Sequence, residues 1–278
     1  MNTTINQSLE QVYDLDICDY LGLPYSMTGY WANHPVSVAE AQEHQLEYLF
    51  APLQLNPSCH VLDIGGGQGG CAIWLAKKYG CKVLVIDLVE AQISAAQQRI
   101  KAEGLEDLVA AVTQDAITLD FSQKFTHIIS IEAIFHIPDK AKLFQKMFKF
   151  LKKGGEFKLT THLYDKAVYQ PSLIDKIILY LVLGQDHLES KSIYEDAIIQ
   201  AGFQDSCFEN ISAQTLYPTY NNIVSDPIIG PKLRTYLKEI NGRWTLWFYP
   251  LIKNRLLKEC QKSERLYDLY SISGKKPE

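Results

Sequence analysis

The six cysteines of this 278-residue chain, Cys18, Cys59, Cys71, Cys81, Cys207 and Cys260, include no C-x-x-C pair. That scatter excludes the usual thiolate zinc frameworks and a paired redox motif. Free thiols in a reducing compartment are expected, with no metal site. Basic residues are also short, with 27 Lys and Arg against 32 Asp and Glu and a net charge of −5. A general nucleic-acid surface needs the opposite balance, so no nucleic-acid partner is expected. Long apolar runs are missing too. The best candidate, 173–183, contains Asp175 and Lys176 and falls short of the ~20 residues of a membrane span. Residues 1–19 are polar and acidic, without the basic start and apolar run of a signal peptide, and a cytoplasmic location is expected. There is no internal repeat and no low-complexity tract. Hydrophobic residues make up 47% of the chain, enough for one large core or a core with a small lid.

The stretch Val61-Leu62-Asp63-Ile64-Gly65-Gly66-Gly67-Gln68-Gly69-Gly70 organises the rest. Val61, Leu62 and Ile64 read as the end of a buried strand, and a helix follows from Ala72. The glycines between allow a tight turn that brings backbone close to a ligand. Two spacings are satisfied at once. Gly65, Gly67 and Gly70 fit the dinucleotide pattern G-x-G-x-x-G. Asp63, Gly65, Gly67 and Gly69 fit D-x-G-x-G-x-G, which resembles the first motif of class I S-adenosylmethionine-dependent methyltransferases. Charge separates the two. A pyrophosphate wants amides and no carboxylate beside the turn. S-adenosylmethionine carries no phosphate, and it has an ammonium and a sulfonium. Asp63 suits such a cation, and the loop holds no Lys or Arg. The alternative is a glycine turn with no ligand.

Around this turn the pattern predicts strands over 60–64, 82–86, 108–113, 125–131 and 156–161. Helices are expected over 36–50, 70–79, 90–101 and 141–151, and a turn at Lys152-Lys153-Gly154-Gly155. Five strand–helix units of short period give an α/β fold, a doubly wound Rossmann-like sheet with ligands at the carboxyl ends of its strands. Residues 65–69, Asp87, Asp115, 132–136 and 160–162 all fall at those ends. Asp87, roughly 20 residues past the turn, is the expected ribose partner. Asp115 is either an acceptor for an adenine amino group or a turn-capping residue.

Further helices are expected over 173–183 and 192–201, and late strands over 206–211 and 264–273. The expected organisation is an N-terminal helical and aromatic flap (1–50), a cofactor-binding core (51–211), a helical cap inserted before the last strand (212–263), and the last strand with its tail (264–278). The flap aromatics are either a cover over the site or a peripheral aromatic core. The basic, aromatic cap reads as a solvated lid. It leaves open an anionic acceptor or a membrane surface.

From about residue 36 onward, and most weakly in the cap, the chain resembles class I S-adenosylmethionine-dependent methyltransferases. The resemblance rests on Asp63 to Gly69, on the turn Leu151-Lys152-Lys153-Gly154-Gly155, and on Glu195-Asp196-Ala197-Ile198-Ile199-Gln200-Ala201-Gly202-Phe203. It implies a seven-stranded sheet whose last strand is antiparallel. Gly29-Tyr30-Trp31 and His136 make the chain similar to the sterol, tocopherol, phosphoethanolamine and cyclopropane-fatty-acid groups. By that resemblance Asp63, Gly65 and Gly67 bind the methionyl part, Asp87 the ribose, Asp115 the adenine, and Tyr30 the cofactor from above. Leu88, Gln92, Ala116 and Glu132 complete the implied cofactor contacts. Tyr25, His136, His162 and Trp244 are the implied substrate contacts. One departure is Gly66, where relatives often have Cys.

The expected activity is methyl transfer to N, C or O of a small molecule, bulky and apolar or lipid-like. His136 is the candidate base by position and by its ordinary titration range. The competing role is orienting substrate or sealing the pocket. Two further readings stand beside this one: a cyclopropane-fatty-acid-type enzyme, which consumes an alkene, and a non-catalytic cofactor-binding protein. Asp63 argues against a nicotinamide oxidoreductase. The sequence assigns no oligomeric state.

Overall fold

Buried aliphatic residues, mostly β-branched, run along the central strands with little alternation. Val61, Leu62, Ile64, Val83, Val85, Ile86, Ile128 and Ile129 are all buried. Such runs belong to a parallel sheet covered on both faces. The computed structural model describes residues 20–121, 124–164, 188–241 and 267–278, with the single positions 173, 176 and 254. It shows seven strands: β1 (His60–Ile64), β2 (Lys82–Asp87), β3 (Val109–Thr113), β4 (Phe125–Ile131), β5 (Leu151–Leu163), β6 (Gln204–Asn210) and β7 (Asp268–Lys275). Their order is β3-β2-β1-β4-β5-β7-β6. The first five pair in parallel, while β6 and β7 pair antiparallel. The expected α/β class, strand count and late antiparallel hairpin are present. β6 is an edge strand with a mostly exposed, polar sequence, which discourages pairing with another chain.

The described helices are α1 (Val38–Phe50), α2 (Gly70–Tyr79), α3 (Glu90–Ala102), α4 (Lys140–Phe150), α5 (Lys191–Ala201), α6 (Ser212–Ser225) and α7 (Ile229–Asn241). α4 shows why they form. Leu143, Phe144, Met147 and Phe150 recur at helical spacing and are all fully buried. Each contributes about 1.5–3 kcal/mol by leaving water. Asp139 caps the helix, its Oδ1 accepting from the Lys142 amide at 2.9 Å. The opposing face is Tyr194, Ala197 and Ile198 of α5, in the same core cluster.

Two expectations fail locally. No helix follows β3 among the described residues. Instead Asp115 O accepts from the amides of Thr118 and Leu119, and Ile117, Leu119 and Phe121 pack on the core at every second position. A single hydrogen-bonded turn at 116–118 thus stands where a helix would run. The Lys152–Gly155 turn is also absent as such, because those residues lie inside β5. Leu151 pairs with Phe125, and the pairing then shifts so that Glu156 meets His127. Gly154, at φ +70°, spends its amide on the carbonyls of Lys276 and Pro277. All of the expected helix over 173–183 but positions 173 and 176, and residues 264–266 of the last strand, lie outside the described residues. So do Cys18 and Cys260, and most of the expected cap beyond α7.

The chain divides into two compact units. The sheet unit comprises Leu49–Ala167, Glu189–Asn210 and Tyr270–Glu278, and the helical unit comprises Met1–Tyr48, Val168–Leu188 and Ile211–Leu269. Within the helical unit, segments read separately as flap and cap are bonded to each other. Gly29 N and Trp31 Nε1 both donate to Thr219 Oγ1, at 3.0 and 2.8 Å, and Trp31 N donates to Gln214 O at 2.9 Å. No side chain fits at Gly29, where a Cβ would lie 2.5 Å from that of Ala41.

Candidate active site

Parallel register aligns the carboxyl ends of β1 to β5. Ile64 lies beside Ile86, Asp87 beside Thr113, and Ile131 beside Thr160. The residues that follow those ends are therefore brought to one edge of the sheet, where α/β folds bind ligands.

At β1 the chain leaves the sheet through the glycine turn. Gly65 N donates to Ile86 O at 2.8 Å. Gly65 has φ +68°, and a Cβ on it would lie 2.5 Å from the Cβ of Ala133, so both conformation and space demand glycine. At Gly66 a Cβ would stand 2.6 Å from Asp63 Oδ2. Asp63 itself is 1% exposed, and among the described residues its Oδ2 has no hydrogen-bond partner. Burial, and then the Asp87 carboxylate, push its carboxyl up from the ordinary range to about 7. A buried acceptor without a donor is costly and calls for a ligand that supplies one. The residues present fit a cationic amine and would repel a diphosphate.

Asp87 closes the turn from β2. Its Oδ2 accepts from Gly67 N and its Oδ1 from Val89 N, each at 3.0 Å. Two oxygens with four lone pairs retain capacity for hydroxyl donors. Burial raises its carboxyl, while those amides oppose the rise. Leu88 follows it, half-buried, and Gln92 is buried with Oε1 facing Gly67. Asp115 Oδ1 accepts from Ile117 N at 2.8 Å, so this side chain caps its own turn. Ala116 packs in the sheet core.

A second group gathers after β4 and β5. Glu132, at φ +50°, donates its amide to Thr160 O at 2.9 Å, and its Oε2 lies 3.1 Å from His162 Nε2. Their side chains are 9% and 2% exposed. Phe135 stands edge-on to His162, with ring centres 5.3 Å apart, and packs on His136 at 4.2 Å. Burial, then Lys140 and His162, hold the His136 imidazole down at about 3. It is therefore neutral at physiological pH and a weak proton acceptor, which favours orientation over base chemistry at this position.

Lys140 was not anticipated. It is 2% exposed, its Nζ donates to the carbonyls of Phe135 and Ile137, and it stands 5.3 Å from the Tyr194 ring centre. Burial brings its ammonium down to about 8 despite Glu189 and Asp139. A lysine in the first turn of α4 opposes the helix dipole, and that was the available signal.

Tyr25 and Tyr30 belong to the helical unit. The Tyr25 carbonyl accepts from Gln42 Nε2 at 2.8 Å, and Tyr30 stacks on Tyr48 with centres 4.3 Å apart. Trp244 lies outside the described residues.

A family model described as mycolic acid cyclopropane synthetase matches residues 21–221. Methyltransferase GfsG of Streptomyces halstedii is 37% identical over 131 residues, covering 46% of this chain and 47% of that protein. Sarcosine/dimethylglycine N-methyltransferase of Halorhodospira halochloris is 28% identical over 183 residues, 64% of this chain and 63% of that protein. The chain thus spans less than two thirds of either relative. In fold it is similar to the cyclopropane synthase MmaA2 from Mycobacterium tuberculosis, with TM-score 0.80, 15% identity and 98% of each chain covered. The family match begins before the glycine turn and runs through β1 to β6, taking in Asp63, Asp87, Glu132 and His162. The chain belongs to the mycolic acid cyclopropane synthetase family.

Proposed function

We propose that this protein carries out S-adenosylmethionine-dependent methyl transfer to a small-molecule acceptor. One observation carries the reading: the buried Asp63 Oδ2, which has no donor among the described residues and stands beside a glycine turn, suits an ammonium and opposes a diphosphate. The methyltransferase names of two relatives support it.

When bound, the cofactor supplies an electrophilic methyl group on a sulfonium. Asp63 holds the ammonium of its methionyl end, and Asp87 accepts from its ribose hydroxyls. Glu132 accepts from His162 Nε2, which places the ring proton there and the lone pair on Nδ1. With His162 Nδ1 buried as well, the pair fixes the wall of the site at the ends of β4 and β5. Neutral His136 hydrogen-bonds and orients the acceptor. Much of the rate then comes from placement, since nucleophile, carbon and sulfur must be collinear.

Cyclopropane formation on an alkene is the second reading, favoured by the family match itself. Both outcomes add one CH2, so mass does not separate them, whereas loss of the alkene proton signals does. The free thiols Cys59, Cys71, Cys81 and Cys207 suit a reducing compartment such as the cytoplasm. The test is incubation with methyl-labelled cofactor and an extract of the host cells. A labelled small molecule supports the proposal. Cofactor binding with no labelled product across a broad acceptor panel favours a binding protein instead.

A further inference from the structure

The candidate active site uses the carboxyl ends of the parallel strands. At the opposite end, where β4 and β5 begin, lies a separate cavity of about 390 Å³. Its polar lining includes Thr126, His127, Lys152, Lys153, Glu156 and Lys275. Three lysines thus line the cavity with Glu156, and the Glu278 carboxylate stands against Gly154 at its edge. The Glu156 carboxylate is already engaged, with its Oε1 3.9 Å from Lys275 Nζ. Lys152 and Lys153 make no ion pair among the described residues. Lys276, just behind them, feels the crowding: burial and then Lys153 push its ammonium down.

The cavity floor carries hydrogen-bonded polar groups. Thr126 Oγ1 accepts from His60 N at 2.9 Å and lies 2.9 Å from His127 Nδ1. Burial lowers the His127 imidazole, so it adds no charge. No side chain can fill the space at Gly155, where a Cβ would lie 2.9 Å from the carbonyls of Lys152 and Thr126. Gln54 is held at φ +49°, a conformation non-glycine residues seldom adopt.

We propose that this cavity binds a small multivalent oxyanion, a diphosphate-like group, through Lys152, Lys153 and Lys275. Lys152 and Lys153, without an ion pair among the described residues, and the shared Lys275 match a ligand with more than one negative charge, Glu278 being the group it must displace or avoid. A small ligand suits the volume. The proposal is independent of the methyl-transfer reading.

The experiment titrates the full chain with pyrophosphate by calorimetry, at constant ionic strength set with sodium chloride. Saturable one-site binding is expected. Lys152→Gln/Lys153→Gln should weaken it at least tenfold while leaving S-adenosylhomocysteine affinity unchanged. A control pair at exposed positions, Lys101→Gln/Lys142→Gln, should leave it unaltered. No saturable binding to wild-type protein overturns the proposal. So does binding that survives in the Lys152/Lys153 variant, or that falls equally in the control pair.

Discussion

Asp87 Oδ2 accepts the amide hydrogen of Gly67 at 3.0 Å, so the end of β2 fastens the turn that follows β1. One carboxylate thereby shapes the loop and, in the proposed reading, would also accept from the ribose. Asp87→Ala removes both functions. S-adenosylhomocysteine affinity should fall at least tenfold, in line with about 1.5–3 kcal/mol for hydrogen bonds to a charged group. Calorimetry checks this, and unchanged affinity rejects Asp87 as the ribose ligand.

Asp63 makes binding pH-dependent. Its carboxyl sits at about 7 without ligand, and an ammonium seated on it favours ionisation. Binding below pH 7 then expels a proton, so affinity should climb as pH rises from about 5 to about 7 and then level off. At pH 6, calorimetry in two buffers of different ionisation enthalpy should show that release. The folding sign is opposite. A carboxyl raised on folding gives a stability contribution fully present below the unfolded value near 4 and lost as pH rises through 7. The thermal shift produced by cofactor should therefore be larger at pH 8 than at pH 5. Equal shifts contradict the assignment.

Local periodicity carried much of the fold. β1, α2 and β4 follow directly from Val61, Leu62 and Ile64, from the apolar spacing of 72–76, and from 125–131. Residues 151–155 read otherwise because Lys-Lys-Gly-Gly has little strand preference. Their strand geometry depends on Lys276 and Pro277, more than a hundred residues away. The missing helix after β3 has the same origin, since Ile117, Leu119 and Phe121 answer to the core rather than to one another. In the site, strand-end acids could be read from position. The Glu132–His162 pair joins side chains 30 residues apart, and the burial that lowers His136 exists only in the folded chain.

Lys140 clamps the turn that carries His136. Lys140→Met leaves the carbonyls of Phe135 and Ile137 without this donor, at a cost of about 1–3 kcal/mol for each group left buried and unsatisfied. A lower midpoint in urea unfolding is expected. A midpoint equal to wild type means that the clamp has no structural weight.

His136→Gln separates the two roles of that residue. An orienting hydrogen-bond partner is partly replaced by glutamine, and kcat should fall less than about tenfold. Loss of a general base costs on the order of 10²–10⁴. The pH–rate profile of wild-type protein should also lack an inflection belonging to His136 between pH 6 and 7, because its imidazole sits at about 3.

The charge preference of the pocket at Asp63 is measured by titrating wild-type protein and Asp63→Asn with S-adenosylhomocysteine and with NADH. Wild-type protein should bind S-adenosylhomocysteine with a dissociation constant on the order of micromolar, or about −8 kcal/mol, and show no NADH binding. Asp63→Asn should lose at least tenfold toward S-adenosylhomocysteine. NADH bound by folded wild-type protein, with S-adenosylhomocysteine ignored, would contradict the account.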